Sequence, residues 1–261
     1  MKILVKLGGT LLDAPELRDA LARQLAAARA QGIELVVVHG GGKQMTRYLT
    51  ERGIESHFVE GLRVTTPETV DAVLKVFAGT VNHELVASVN RAGALGVGIS
   101  GIDALLVEAE QMNPDLGAVG RVTRCNPGLL HQLVSGGYIP VVACVAGDRE
   151  GTVYNVNADQ MAVACAAAFG AQSLIFLTDV EGVMDAGRQV RPVLSAAESR
   201  GLIADGVATG GMQAKLNAAL AALAGGVEQV RIAPGAAPHV LARILAGEAL
   251  GTKMILEVQS A

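Results

Sequence analysis

Two stretches of this chain join a strand-like apolar run to bare backbone: Ile3-Leu4-Val5-Lys6-Leu7-Gly8-Gly9 and Val36-Val37-Val38-His39-Gly40-Gly41-Gly42. Successive glycine N–H groups in a turn form a concave nest for oxygen anions, and a helix opening just beyond adds a favourable dipole. Lys6 lies inside the first run, two residues before the glycines. A lysine in a core strand is costly unless its charge is used or reaches water. The pair therefore points to an anion site built from two strand ends, with phosphate as the first candidate. Further along, Asn155, Asn157 and Asp159 alternate with small apolar residues, so an extended strand end would point all three one way. Asn and Asp also suit a turn and a helix N-cap, and the two readings are compatible at Asp159. Lys215 and Arg63, taken singly, are an ordinary surface lysine and an ordinary strand arginine.

These side chains need elements to position them. The spacing predicts strands over 2–7 and 33–38, with a helix over 15–31 between them and another over 44–52 leaving the glycine loop. That βαβα opening implies parallel strands with helices on the faces. Two pieces flanking Gly61 within 56–66 suit a hairpin. One helix is expected from the Thr66-Pro67 cap to about Phe77, and a separate one over 79–92. Residues 94–99 read as a strand, 104–125 as short strands or hairpins, 127–136 as a helix and 139–145 as a buried strand. An alanine-rich helix to Phe169 follows the 155–159 segment, then a strand over 173–177 and a turn from Thr178 to Val183. Helices over 195–201, 212–224 and 238–246, and strands over 229–232 and 253–258, complete the chain.

The bulk numbers fit that plan. Among 261 residues, 51% are hydrophobic and 18% charged, enough for a large core and too apolar for disorder. The net charge of −4 and the lack of any basic run argue against nucleic acid as a partner. Cys125, Cys144 and Cys165 are odd in number, widely spaced and without a C-x-x-C pair, as expected of buried thiols in a reducing compartment. No apolar run reaches about 18 residues, and the chain opens directly on a strand with no basic and apolar leader; a soluble, cytoplasmic protein is expected. Several chemistries are excluded. The spacing of a P-loop fails because Gln44 follows Lys43 and Val37 stands where its first glycine belongs. A formal G-x-G-x-x-G at Gly96, Gly98 and Gly101 lacks an acid about 20 residues on, because Asp103 comes too early. No H-E-x-x-H or G-x-S-x-G occurs.

In order, Lys6-Leu-Gly-Gly, His39-Gly-Gly-Gly, Gly61-Leu-Arg-Val-Thr, Asn155-Val-Asn-Ala-Asp, Thr178-Asp-Val-x-Gly-Val, Gly211-Met-x-x-Lys215 and Gly251-Thr252 span nearly the whole chain. This series resembles the amino-acid kinase family. The Lys-x-Gly-Gly and Thr-Asp-Val-x-Gly pieces are similar to the family at large, whereas Gly-Leu-Arg-Val-Thr and Asn-Val-Asn-Ala-Asp resemble its acetylglutamate branch. The resemblance implies one α/β domain over 1–261, a three-layer α/β/α sandwich around an open, mainly parallel sheet. Within it, about 1–169 would bind the acylated amino acid and form the dimer, and 170–261 would bind nucleotide. Lys6 and Lys215 match the lysines that stabilise the transferring phosphoryl group, and Asp159 matches the acid that holds them. Gly8 and Gly9 match backbone donors to the nucleotide, Gly40 and Gly41 donors on the substrate side. Arg63 and Asn155 match the groups that grip the substrate's α-carboxylate and amide region. Thr178, Asp179, Val180, Glu181, Gly182, Val183 and Met184 match one nucleotide-binding turn; Val207, Ala208 and Thr209, with Met212, match another.

The implied reaction is ATP-dependent phosphorylation of the γ-carboxylate of N-acetyl-L-glutamate, a step of arginine biosynthesis, with Mg²⁺ accompanying ATP, no metal site of the chain's own and no tightly bound cofactor. A kinase for carrier-linked aminoadipate or glutamate, or for free glutamate, stays open as an alternative acceptor class, and a catalytically silent nucleotide-binding regulator as an alternative function. Members inhibited by arginine carry an extra helix before the first strand; this chain starts at that strand, so an arginine-insensitive homodimer is expected. A PII-type signalling protein, which binds some relatives, is admitted as a partner.

Overall fold

The valine- and isoleucine-rich runs form the middle of an eight-stranded sheet in this computed structural model, which describes residues 1–257. Across the sheet the strands run Val193–Ser195, Thr252–Ile255, Gln229–Pro234, Ser173–Thr178, Lys2–Leu7, Glu34–His39, Tyr138–Ala143 and Leu95–Ser100. All neighbours are parallel except Gln229–Pro234 against Thr252–Ile255. Ile3, Leu4, Val5 and Val36 to Val38 are fully buried, as strands covered on both faces require. Each such side chain contributes roughly 1.5–3 kcal/mol by leaving water.

The first strand is where the strand order reverses. It lies between Ser173–Thr178 and Glu34–His39, with Lys6 in register with Phe176 and Val38. Ligands of open α/β sheets bind outside the carboxyl ends of strands at such a switch point. Here Gly8, Gly40, Cys144 and Asp179 all follow directly on a strand's carboxyl end. Helices cover the sheet in two layers. Pro15–Ala30 and Asn82–Arg91 pack on each other in one; Ala158–Phe169 and Gly210–Ala224 pack on each other in the second. A small closed sheet of Val107–Gln111, Val119–Cys125, Val145–Gly147 and Val153–Val156 stands beside the main one. The hairpin Phe58–Val59/Leu62–Arg63 turns through Glu60 and Gly61, both at positive φ, the two-residue turn whose twist matches its strands.

Four expectations need correction. The helices foreseen as 67–77 and 79–92 are one continuous helical run: Pro67–Val73, a π-helical segment Leu74–Val81, then Asn82–Arg91. Gly79 does not break it, because a glycine weakens a helix by about 1 kcal/mol and packing overrides that. Gly9 is not a free turn: Gly9–Asp13 is a short helix with Gly8 at its N-cap. The strand foreseen to Val145 ends at Ala143, and the chain passes through Cys144 into the small sheet. The last strand is Thr252–Ile255, and Val258, foreseen as its end, lies outside the described residues.

Candidate active site

Asp159 is the centre of the site. Val153–Val156 ends one residue before Asn157, so the strand alternation stops there. Asn157 turns back and caps the helix Ala158–Phe169, accepting from the N–H of Asp159 at 2.8 Å and of Gln160 at 3.3 Å. With the cap supplied by Asn157, the Asp159 carboxylate is free to face the cleft. Lys6 Nζ lies 2.7 Å from its Oδ1 and Lys215 Nζ donates to Oδ2 at 3.4 Å. Oδ1 accepts no aligned hydrogen bond, so the Lys6 contact is charge against charge. Burial pushes the Asp159 carboxyl up, but the two ammonium groups more than offset this and hold it below the usual carboxylate range. One carboxylate thus gathers two cations from opposite ends of the sequence, and the ensemble keeps a net positive charge.

Beside Lys6 the glycines form a cradle. The N–H of Gly8 donates to Leu177 O at 3.0 Å and that of Gly40 to Leu7 O at 3.2 Å. Those two amides are committed to the sheet, so Gly8 and Gly40 contribute shape and not donors. The N–H groups of Gly9, Gly41 and Gly42 have no hydrogen-bond partner among the described residues. They converge: a Cβ added at Gly9 would lie 3.1 Å from Gly42 N and 3.3 Å from Gly41 N. Buried amides without partners are rare, and Gly41 is buried. A methyl group at Gly9 would fill the place an anion oxygen would take. Gly42, the third glycine of the run, was not among the expected donors.

Lys6 and the cradle line a cavity of about 240 Å³ whose far wall carries Arg63, Asn155, Leu62, Phe58 and Phe77. The Arg63 guanidinium is buried and has no carboxylate partner among the described residues. It donates to Thr46 Oγ1 at 2.8 Å, to Gly42 O at 3.3 Å and to Ser56 Oγ, and its plane lies over Phe58. Burial lowers its pKa from the ordinary arginine value. Asn155 donates to Thr65 Oγ1 at 3.0 Å, and Thr65 Oγ1 donates to Arg63 O at 2.9 Å. Thr65, Thr46 and Ser56 are supporting residues that single-residue reading missed, although Thr65 closes the Gly61-Leu-Arg-Val-Thr motif.

The Thr178–Met184 turn leaves the strand beside Lys2–Leu7. Thr178 Oγ1 donates to Asp179 Oδ1 at 3.1 Å, while Asp179, Glu181 and Met184 are exposed and Val180 is half-buried. Val183 is fully buried, its N–H donating to Thr252 Oγ1 at 2.8 Å. Gly182 is required: its φ is 155° and a Cβ there would meet Thr252 Oγ1 and Val190 at 2.8 Å. Val207 and Ala208 both donate to Leu202 O, which holds the approach to the Gly210–Ala224 helix. Thr209 occupies that helix's N-cap without a side-chain cap, and Gly210 and Gly211 keep free amides there among the described residues. Met212 packs against the core one turn before Lys215. A larger groove of about 810 Å³, between the Pro15–Ala30 helix and 235–246, has alanine at seven of its fifteen lining positions. It holds none of the orphaned polar groups, so size does not mark the site.

Among the described residues, no three His, Cys, Asp or Glu side chains cluster as a metal site, and no helix is long and apolar enough to cross a membrane.

The model of the amino acid kinase family matches residues 1–234. An acetylglutamate kinase of Solibacter usitatus is 76% identical over 255 residues, 98% of this chain and 99% of that one. One from Synechococcus sp. (strain CC9311) is 42% identical over 97% of this chain and 91% of its own. Among solved structures, N-acetylglutamate synthase from Neisseria gonorrhoeae, complexed with coenzyme A and N-acetyl-glutamate, aligns with a TM-score of 0.89 at 26% identity. That match covers 98% of this chain, which spans only 60% of the synthase. The protein smu.665 from Streptococcus mutans UA159 aligns at a TM-score of 0.82 with 26% identity, over 98% of this chain and 99% of that one.

Proposed function

The chain belongs to the amino acid kinase family, and from that premise we propose that it transfers the γ-phosphoryl group of ATP to the γ-carboxylate of N-acetyl-L-glutamate. The observation that carries the reading is Asp159 holding Lys6 and Lys215 beside three unpartnered amides and an uncompensated Arg63. A γ-carboxylate with an ordinary pKa of roughly 4.3 is already a nucleophile at neutral pH. One of its oxygens forms a bond to the γ-phosphorus as the bond from that phosphorus to the β,γ-bridging oxygen breaks. The bonding pair leaves with ADP, and no proton has to move. The obstacle is bringing one anion to another and stabilising charge in transit, which is positioning and electrostatics. Lys6 and Lys215 lie where the transferring group would pass; Arg63 answers the α-carboxylate, and Asn155 lies beside it for the amide.

Mg²⁺ enters as part of MgATP, held chiefly by the phosphates. The turn 178–184 and the helix start at 207–212 receive the nucleotide, and 1–169 the acceptor. The product is the acyl phosphate N-acetyl-L-glutamyl 5-phosphate of arginine biosynthesis, made in the cytoplasm. The protein works as a homodimer joined at the Leu95–Ser100 edge. The test is ADP release by purified protein with N-acetyl-L-glutamate, glutamate and carrier-linked acceptors. The expected result is acetylglutamate-dependent turnover that Lys6→Ala reduces by at least about 10²-fold. No acetylglutamate-dependent release, or full activity in Lys6→Ala, would overturn the reading.

A further inference from the structure

His39 is fully buried at the carboxyl end of the strand Glu34–His39, and no step of the transfer uses it. Its ring is held from both sides. Nδ1 lies 2.8 Å from Gly40 O, and Nε2 lies 3.0 Å from Asn82 Nδ2. Asn82 Nδ2 also donates to Val141 O at 2.9 Å, so it is the donor towards Nε2. Nε2 therefore accepts, and the ring proton sits on Nδ1, donating to Gly40 O. Gly98 makes room for this arrangement, because a Cβ there would overlap Asn82 Oδ1. That accounts for one glycine of the formal G-x-G-x-x-G, which marks no nucleotide site.

The bonded carbonyl is not an arbitrary one. Gly40 C=O belongs to the same planar peptide as Gly41 N–H, and in a trans peptide the two point in opposite directions. Fixing the oxygen fixes the N–H on the other side, where Gly41 N lies beside Gly9 and Gly42 N with no partner of its own. A glycine–glycine peptide has little else to hold its plane. We propose that His39 is a positioning residue for phosphoryl transfer: with Asn82 behind it, it locks the Gly40–Gly41 peptide so that Gly41 N–H stays aimed at the transferring group. This rests on the kinase reading above.

The test separates the hydrogen bond from mere packing. His39→Asn keeps an N–H donor about where Nδ1 stands but leaves a void; His39→Leu fills the space with no donor. Steady-state rates are compared at a temperature where circular dichroism shows both variants folded. The expected result is that His39→Leu loses roughly 10- to 100-fold in kcat, less than the roughly 10²–10³ that follows outright removal of an oxyanion donor, because Gly41 N–H is loosened and not lost. Its KM values stay within about threefold, and His39→Asn recovers most of the loss. If kcat instead follows thermal stability, or His39→Leu keeps a rate within about threefold of the natural protein, the inference fails. Should His39→Leu not fold, Asn82→Ala replaces it: a fall in kcat at unchanged KM supports the relay, and an unchanged kcat overturns it. Inactive natural protein would sink the kinase reading and the inference with it, whereas active natural protein with an active donor-free variant sinks only the inference.

Discussion

At the scale of single residues, the chemistry concentrates on Asp159, and its replacement should be severe. Asn at 159 leaves two ammonium groups facing each other at a largely buried place with no counter-charge. Removing one partner of such a set costs about 3–5 kcal/mol, and the lysines lose the anchor that aims them. Asp159→Asn should lower kcat by roughly 10²–10³ with much smaller changes in KM, measured by coupled ADP release; a rate within tenfold of the natural protein would show that the lysines aim themselves. His39 gives a second prediction at this scale. Burial and the Lys6 charge push its pKa down to about 4, against the pull of its bond to Gly40. Unfolded histidine takes a proton near 6.5, so between pH 6.5 and about 4 the unfolded chain gains a proton that the folded one refuses. Stability due to this group is complete above pH 6.5 and declines below it, by about 3 kcal/mol at most. Urea unfolding from pH 7.5 to 4 should fall more steeply for the natural protein than for His39→Asn; parallel curves would refute this. The residue types themselves were legible in the sequence. Their partnership was legible only through the family resemblance, because nothing in a spacing of 153 residues between Lys6 and Asp159 says by itself that one folds beside the other.

At the scale of elements, the glycine run looks different once its neighbours are in place. The sequence makes every glycine of the run bare for the same reason. The structure gives them different reasons. A Cβ at Gly41 would lie 2.8 and 2.9 Å from the Phe77 ring and 3.4 Å from Val81, so this glycine is bare to admit the π-helical segment. A Cβ at Gly9 would instead sit against the free amides of the cradle. Gly9→Ala should therefore abolish transfer, and at a smaller cost in stability than Gly41→Ala, because its Cβ would lie 3.1 Å from the nearest atom, Gly42 N, against 2.8 Å from the Phe77 ring at Gly41. Gly41→Ala should cost about 1–3 kcal/mol by overpacking, and Phe77→Leu should restore much of that. Thermal unfolding and kcat on the three variants decide it, and equal stability losses for Gly9→Ala and Gly41→Ala would refute the distinction. The π turn that makes this contact was not legible. Its i→i+5 bonding places Phe77, Val81 and Asn82 against the loop and its histidine, whereas the pattern of Leu74–Arg91 reads as two ordinary helices split at Gly79. The buried parallel strands were legible, since only a strand covered on both faces keeps a run such as Val36-Val37-Val38.

At the scale of the whole molecule, one edge of the main sheet is left open by this chain. Leu95–Ser100 is the outermost strand, paired on one side only with Tyr138–Ala143. Leu95 is 60% exposed and Tyr138, in register with it, is 39% exposed. Edge strands are normally protected by charge, proline or a bulge, and the sequence Leu-Gly-Val-Gly-Ile-Ser carries none of these. A second copy meeting the same strand about a two-fold axis would cover it, because such an interface uses one patch on both subunits. Lys6, Asp159, Lys215, Arg63 and the cradle all come from one chain, away from this edge in the strand order. A homodimer joined at this edge would therefore leave assembly and transfer separable. Leu95→Arg should convert a sedimenting dimer to monomer, since a buried unpaired charge on each subunit opposes association by several kcal/mol. It should keep kcat within about threefold, because a surface-exposed position leaves the folded chain unstrained. A variant that still sediments as a dimer would move the interface elsewhere. A monomer without activity would mean that the second copy holds the cleft in its working shape, making the dimer part of the catalytic apparatus.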